Sequence, residues 1–340
     1  MTIAKASPHH KPAVAITMGD PAGIGPEVTV GALSAEEVHQ ICRPLVIGDA
    51  TVLRKANELL GTALSIQRIT HVGELAADPH TIHVLDLANV DWQMLERQTV
   101  SAQAGRAAVE YVQTAVRLAQ SGQVQAIVTA PINKQAINLA GYHYVGHTEL
   151  LADLTNTAGC TPMLTTGGLR VTHVTRHIPF RKVADHITKE HVLQTIVTTY
   201  QGLRRLAIEH PRVGVAALNP HNGDGGLLGR EELEQIGPAV QEARALGIDA
   251  RGPHPADTIF VRATRGEFDV VVAMYHDQGH IPIKVSDFEG SFTITLGLPI
   301  LRTSVDHGTA FDIAWQGVAS PQSMIAAIQA AARLAATLGQ

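Results

Sequence analysis

Cysteine is nearly absent from this chain: Cys42 and Cys160 are the only two in 340 residues. They form no C-x-x-C pair, which excludes a thiolate metal cluster and a redox dithiol, and makes reduced thiols the expectation. Aromatic residues are also scarce, at 4%, too few for platforms that stack single-stranded nucleic acid. Positive charge is not in excess either. The net charge of −5 with histidines neutral argues against a nucleic-acid-binding surface, although a local basic pocket fits within it. No run of about 18 apolar residues occurs, so no membrane span is expected. Residues 1–11 contain no apolar stretch of the secretory kind, which makes a cytoplasmic location the expectation. What is plentiful is core material: 45% of residues are hydrophobic, enough for two domains or one large α/β unit.

Short apolar runs alternate with longer amphipathic ones. Residues 14–17, 44–47, 82–87 and 124–130 read as strands, as do 169–174, 213–218 and 270–274. Between them lie helical stretches. Pro26 opens the first, Asp49 caps one that Gly61 ends, and Ser101 caps one over 102–120. Thr188 caps another running toward 208, and 230–245 and the Ala-rich 321–338 complete the set. Alternating strands and helices imply a largely parallel sheet with helices on both faces. Ligands of such sheets bind at the carboxyl ends of strands, and the unusual polar segments of this chain follow its strands.

GDPAGIGPE, 19–27, joins the first strand to the first helix. Its glycines let backbone amides approach an anion at a helix start, or simply make a tight turn. It is not a dinucleotide fingerprint, because Pro26 follows Gly25 and Val28 stands where a third glycine belongs. His177 in TRHIP, His221 in LNPHNGDGG and His276 in AMYHDQGH each follow an apolar strand. Three neutral imidazoles with an open position suit a catalytic metal. Singly, each is more readily a hydrogen-bonded structural histidine, and His173 and His280 are rivals; that all three follow apolar strands strengthens the joint reading. GHTEL, 146–150, opens a helix at which His147 and Thr148 can donate to an anion, unless Thr148 is a plain cap. Lys284 in HIPIK and Arg302 in LPILRTS lie beside or within short apolar segments. Such cations need a partner, either a phosphate or carboxylate ligand or a side chain such as Asp287. Residues 304–321 read as a polar loop through Gly308 into a short helix holding Asp312. That segment is either an adenine site or a connector.

Taken together and in order, GDPAGIGPE, TAPINK, GHTE, LNPHNGDGG, PADT, YHDQGH and TLGLPILRTSVDHGTAFDIA resemble the 4-hydroxythreonine-4-phosphate dehydrogenase (PdxA-like) family, from about Val14 to the C-terminus. The resemblance implies an α/β/α fold of two domains, like isocitrate and isopropylmalate dehydrogenases, with a cleft between them. Residues 1–130 plus 293–340 would form the first domain and 131–292 the second. HGTAFDIAWQGVASP is similar to the cofactor loop of isopropylmalate dehydrogenases, which implies an adenine site at His307, Gly308 and Asp312; Trp315 falls where those enzymes have glycine. His177, His221 and His276 are the implied divalent-metal ligands. His147, Thr148, Lys284 and Arg302 match substrate-binding positions. Thr293 departs from the family's asparagine, which exchanges an amide for a hydroxyl and bears on which substrate fits. HIPIK resembles a divergent branch acting on 4-phosphorylated threonate or erythronate; a more distant branch oxidises cis-dihydrodiols of aromatic acids such as terephthalate. A homodimer with its site near the subunit boundary is implied as well.

The expected chemistry is oxidation of a small 4-phosphorylated 3-hydroxy acid. A metal, zinc first with magnesium, cobalt and manganese as alternatives, would lower the hydroxyl pKa. NAD or NADP would take the hydride, and the 3-oxo product would lose carbon dioxide. Lys134 or Asp277 would relay the hydroxyl proton, and Asp257 would orient metal or substrate. A metal-dependent hydrolase or aldolase is the rival enzyme class and would need no dinucleotide. A phosphometabolite-binding protein would need no histidine trio.

Overall fold

An unbroken apolar strand marks a buried parallel sheet, and Ala13–Thr17, strand β1, is buried at every position. The computed structural model describes residues 11–339; the preceding ten, which carry the expectation about secretion, lie outside the described residues. The chain forms two units, one from residues up to 158 and from 298 onward, the other from residues 159–297. In chain order the strands are β1, β2 (Arg43–Gly48), β3 (Ser65–Ile69), β4 (Thr81–Asp86), β5 (Ala126–Thr129) and β6 (Thr161–Thr166). Then follow β7 (Leu169–His173), β8 (Val213–Ala216), β9 (Ala250–His254), β10 (Val270–Ala273), β11 (Phe292–Leu296) and β12 (Arg302–Val305).

The first unit orders its strands β3-β4-β2-β1-β5-β12, with every pair parallel. Its helices start where side chains satisfy the free N–H groups. Asp49 accepts from Thr51 and Val52 N–H at 2.8 and 3.2 Å, and Ser101 accepts from Ala104 N–H at 3.2 Å. Gly61 ends its helix in the left-handed conformation, φ 62°. The division of the chain at 158/159 rather than 130/131 follows from packing. Gly105, on the Ala102–Gln120 helix, lies so close to Ala136 that a Cβ there would stand 2.1 Å from its carbonyl oxygen. Residues just past 130 are thereby pinned to the first unit, and the return crossing falls at 297/298.

The second unit orders its strands β11-β6-β7-β10-β8-β9. From β7 to β9 the pairs are parallel, while β6 runs antiparallel to both neighbours. Gly167 and Gly168, φ 48° and 98°, make a two-residue hairpin that sets Thr166 opposite Leu169. The sequence reading has no strand at 161–166, because its threonines and proline mask the run. It has no helix at Ala256–Thr264 or His276–Ser286 either, the latter because Pro282 sits inside it. The expected helix over 230–245 is split, with a π-helical Glu232–Ile236 preceding the α-helix Gly237–Ala245. No short helix forms around Asp312. Positive φ at Ala310, Trp315 and Gly317 turns that segment repeatedly instead. Among the described residues, no helix is long and apolar enough to cross a membrane, and Cys42 and Cys160 form no disulfide.

Candidate active site

In the first unit the strand ends gather buried polar groups. Gly19, φ 74°, follows β1 at a point where a Cβ would stand 2.4 Å from Pro131 O, so only glycine lets this loop meet the one after β5. Asp20 is fully buried. Its Oδ1 accepts from Ala22 N–H at 2.8 Å, and Oδ2 has no hydrogen-bond partner among the described residues. Burial pushes its carboxyl up to about 6, against the pull of N–H groups from Ala22 and Gly23. Arg302 opens β12, is 3% exposed, and donates from Nη2 to Thr129 Oγ1 at 2.6 Å. His147 begins the helix His147–Leu154 behind Gly146, which makes no side-chain cap; Thr148 follows it. The His147 Nε2 is buried without a partner among the described residues. Burial, and then the Arg302 guanidinium, hold its imidazole well below the usual histidine value. It is therefore neutral near pH 7 and sits within electrostatic reach of a buried cation. Lys134 starts the Lys134–Leu139 helix and is exposed.

The 307–317 loop is fastened to GDPAGIGPE. Ile24 N–H donates to Thr309 O at 3.0 Å. The buried Glu27 accepts from Trp315 N–H at 2.5 Å and Gly317 N–H at 2.7 Å. The Trp315 indole donates to Pro21 O at 3.1 Å and packs on Trp92, ring centres 5.0 Å apart. His307, Gly308 and Asp312 are exposed along this loop; a Cβ on Gly308 would meet nothing within 4 Å. The residue where glycine was expected, Trp315, thus takes a left-handed φ of 60° and anchors the loop by its ring.

In the second unit the ends of β7, β8 and β10 carry the histidines. Gln278 ties two of these ends together: its Oε1 accepts from Met274 N–H at 2.7 Å and its Nε2 donates to Ala217 O at 2.8 Å. His276 and His177 have ring centres 5.6 Å apart. His276 also stacks on His280 at 3.5 Å, and His280 lies 4.8 Å from His173. Asp277 Oδ1 holds Nδ1 of His276 at 2.7 Å, which leaves its Nε2 as the nitrogen that could hold an ion. His221 lines a pocket of about 640 Å³ with Asp257, Tyr275 and Gln278. Lys284 donates to Ser291 Oγ at 3.3 Å, over the Phe288 ring at 4.9 Å. Thr293 is buried in β11 opposite Leu164.

Among the described residues, no three His, Cys, Asp or Glu side chains are gathered to hold an ion as they stand. His177 and His276 are neighbours, while His221 comes from the adjoining strand end. The donor chemistry nevertheless fits a divalent ion: imidazoles on neighbouring strand ends, one oriented by a carboxylate. The sequence reading missed Asp20, Glu27, Glu232 and Gln278. An acidic residue closing GDPAGIGPE was a visible hint for Glu27; the partners of the other three are set only by the fold.

Comparison with known proteins follows the same lines. The family model described as pyridoxal phosphate biosynthetic protein PdxA matches residues 40–331. A Halalkalibacterium halodurans protein named "Putative D-threonate 4-phosphate dehydrogenase" is 46% identical over 325 residues, covering 96% of this chain and 97% of that one. The crystal structure of a 4-hydroxythreonine-4-phosphate dehydrogenase from Klebsiella pneumoniae superposes with a TM-score of 0.89 at 44% identity, covering 95% of this chain and 99% of that one. A terephthalate 1,2-cis-dihydrodiol dehydrogenase from Burkholderia xenovorans gives 0.63 at 33% identity, covering 96% and 98%.

The buried Asp20 has a measurable consequence. A carboxyl whose folded-state pKa lies above its unfolded value costs stability only when ionised, so the cost is absent below about 3.8 and complete above about 6. At pH 7 it amounts to roughly 3 kcal/mol, at about 1.36 kcal/mol per pH unit. Asp20→Asn should therefore raise the unfolding free energy at pH 7 and lose that advantage by pH 4. Urea denaturation across this range reads it; an equal difference at both pH values would contradict the raised pKa.

Proposed function

The chain belongs to the family of the pyridoxal phosphate biosynthetic protein PdxA, and from that premise we propose that its substrate is 4-phosphorylated threonate. The chain is a dehydrogenase that acts on a CH–OH group of a small 4-phosphorylated hydroxy acid. The observation that carries the phosphate is Arg302: a 3% exposed guanidinium at a strand end, next to a neutral His147 whose Nε2 is buried and open. A dianionic head would accept charge-assisted hydrogen bonds from a guanidinium and an imidazole placed so close together. Relatives at 44–46% identity are named for D-threonate 4-phosphate and a solved structure at 44% for 4-hydroxythreonine-4-phosphate; between these two, our choice of threonate rests on Thr293. A hydroxyl at that position pairs with a substrate hydroxyl as donor or acceptor.

The residues divide the work. Arg302 offers a bidentate contact to phosphate, and His147 and Thr148 offer donors at a helix start; Lys284, in the second unit, would offer a point charge to the substrate. His177, His221 and His276 would hold one divalent ion, zinc or a similar metal, and His307, Gly308 and Asp312 would face the adenine end of NAD or NADP. When bound, the ion would supply Lewis acidity toward the substrate hydroxyl and the nicotinamide would accept hydride. Lys134 or Asp277 takes the hydroxyl proton, and Asp257 orients the reacting end from the His221 pocket. Loss of carbon dioxide from the 3-oxo acid would follow: the C1–C2 bond breaks, its electron pair passes into the ketone as an enolate, and protonation at C2 gives the final ketone. A homodimer in the cytoplasm completes the reading. Ile281 and Val285, 60% and 82% exposed, stand one turn apart on the helix His276–Ser286, and Phe288, 71% exposed, follows its end; together they are the kind of exposed apolar surface that a second copy would cover.

Three outcomes are expected. Alanine at His177, His221 or His276 should strip the bound divalent ion while leaving the circular dichroism spectrum intact; a full metal complement in all three variants by elemental analysis would remove this assignment. Arg302→Ala should weaken binding of the phosphorylated acid by roughly 30- to 5000-fold, from a cost of about 2–5 kcal/mol, and leave binding of its unphosphorylated form unchanged. Calorimetry decides, and equal losses for both forms would count against a phosphate contact. Light scattering should show a dimer that Val285→Glu dissociates; an active monomer would reject that interface.

A further inference from the structure

The loop after β8 has the least ordinary backbone in the second unit. His221, Asn222, Gly223, Asp224 and Gly225 have φ values of 52°, 60°, 75°, 46° and 65° in succession, and Gly226 stays positive at 100°. Left-handed conformations are unfavourable for residues with a Cβ and occur singly rather than in runs. Three of the first five residues here are not glycine. Such a run persists only where its surroundings enforce it, and it gathers at functional sites.

Packed inside this turn is the carboxylate of Glu232, which is 4% exposed. Its Oε1 accepts from Leu218 N–H at 2.8 Å and Asn219 N–H at 2.7 Å. Its Oε2 accepts from Asn219 Nδ2 at 2.9 Å, and the same amide donates to Glu231 Oε2 at 2.7 Å. The carboxylate fills the inside of the turn: a Cβ on Gly223 would stand 2.6 Å from Oε2. The π-helical turn Glu232–Ile236 that begins at this residue is a local departure of the kind that re-aims side chains near functional sites. Both oxygens act as acceptors. An amide in place of the carboxylate would set a donor against Asn219 or against the two backbone N–H groups.

We propose that Glu232 is a positioning residue: it locks the left-handed turn 221–225 so that the His221 imidazole is held ready as a ligand for a divalent ion. This rests on the reading of His221 as a metal ligand given above. Glu232 itself touches neither ion nor substrate.

The test is titration of the metal-stripped protein with Co(II), read by its visible absorption, for wild type, Glu232→Gln, His221→Ala and the double variant. Glu232→Gln should bind Co(II) about 10- to 100-fold more weakly, as outer-shell changes do, with an altered absorption band. In the His221→Ala background the same substitution should cost no further affinity, whereas its effect on melting temperature should be the same in both backgrounds. Asp224→Gly relieves one left-handed residue without touching the carboxylate, so combined with Glu232→Gln it should recover part of the lost affinity. Should Glu232→Gln alone not fold, that pair carries the comparison. Wild-type affinity and spectrum in Glu232→Gln, with affinity lost in His221→Ala, would overturn this inference alone. Wild-type affinity in His221→Ala would overturn the metal reading with it.

Discussion

A buried loop must find acceptors for its backbone N–H groups, and at the strand ends of this protein side-chain carboxylates provide them. Glu27 receives the N–H groups of Trp315 and Gly317. Glu232 receives those of Leu218 and Asn219. Asp49 receives those of Thr51, Val52 and Val90. Each such bond to a charged acceptor contributes about 1.5–3 kcal/mol, and breaking one leaves a buried donor unsatisfied. The loops that carry the candidate site are therefore not loosely draped. Their left-handed residues, Trp315 and His221 among them, are conformations the carboxylates hold in place.

Much of this was legible in the sequence because it is local. The caps at Asp49, Ser101 and Thr188, the left-handed Gly61 and the fully apolar central strands need only neighbouring residues to be read. The helix start at His147 was legible in the same way, although the residue preceding it, Gly146, provides no side-chain cap. What escaped depends on partners far along the chain. Glu27 meets a loop nearly 300 residues later, and Arg302 reaches Thr129 across 173 positions. The helix His276–Ser286 was hidden by its own Pro282. The expected helix around Asp312 failed because its backbone follows Glu27 and Trp315 rather than its own propensity.

The charge balance of the two histidine environments differs in a way that suits two tasks. His147 is kept neutral by burial and by Arg302, so it can donate to an anion without adding fixed charge. His276 instead has a carboxylate on its Nδ1, which fixes the orientation of its ring. A hydrolase or aldolase could use the second arrangement, but gives no role to a buried guanidinium beside a neutral imidazole or to a loop anchored as 307–317 is.

The claim on which everything else turns is that this dehydrogenase requires its substrate's phosphate. The most direct measurement is the absorbance of reduced nicotinamide produced by metal-reconstituted wild-type protein. The substrates to compare are phosphorylated threonate, unphosphorylated threonate, phosphorylated hydroxythreonine and an aromatic cis-dihydrodiol acid. The account predicts the highest kcat/KM on phosphorylated threonate and little turnover of the two compounds without phosphate. Ready turnover of the dihydrodiol, or no preference between threonate and its phosphate, would contradict it.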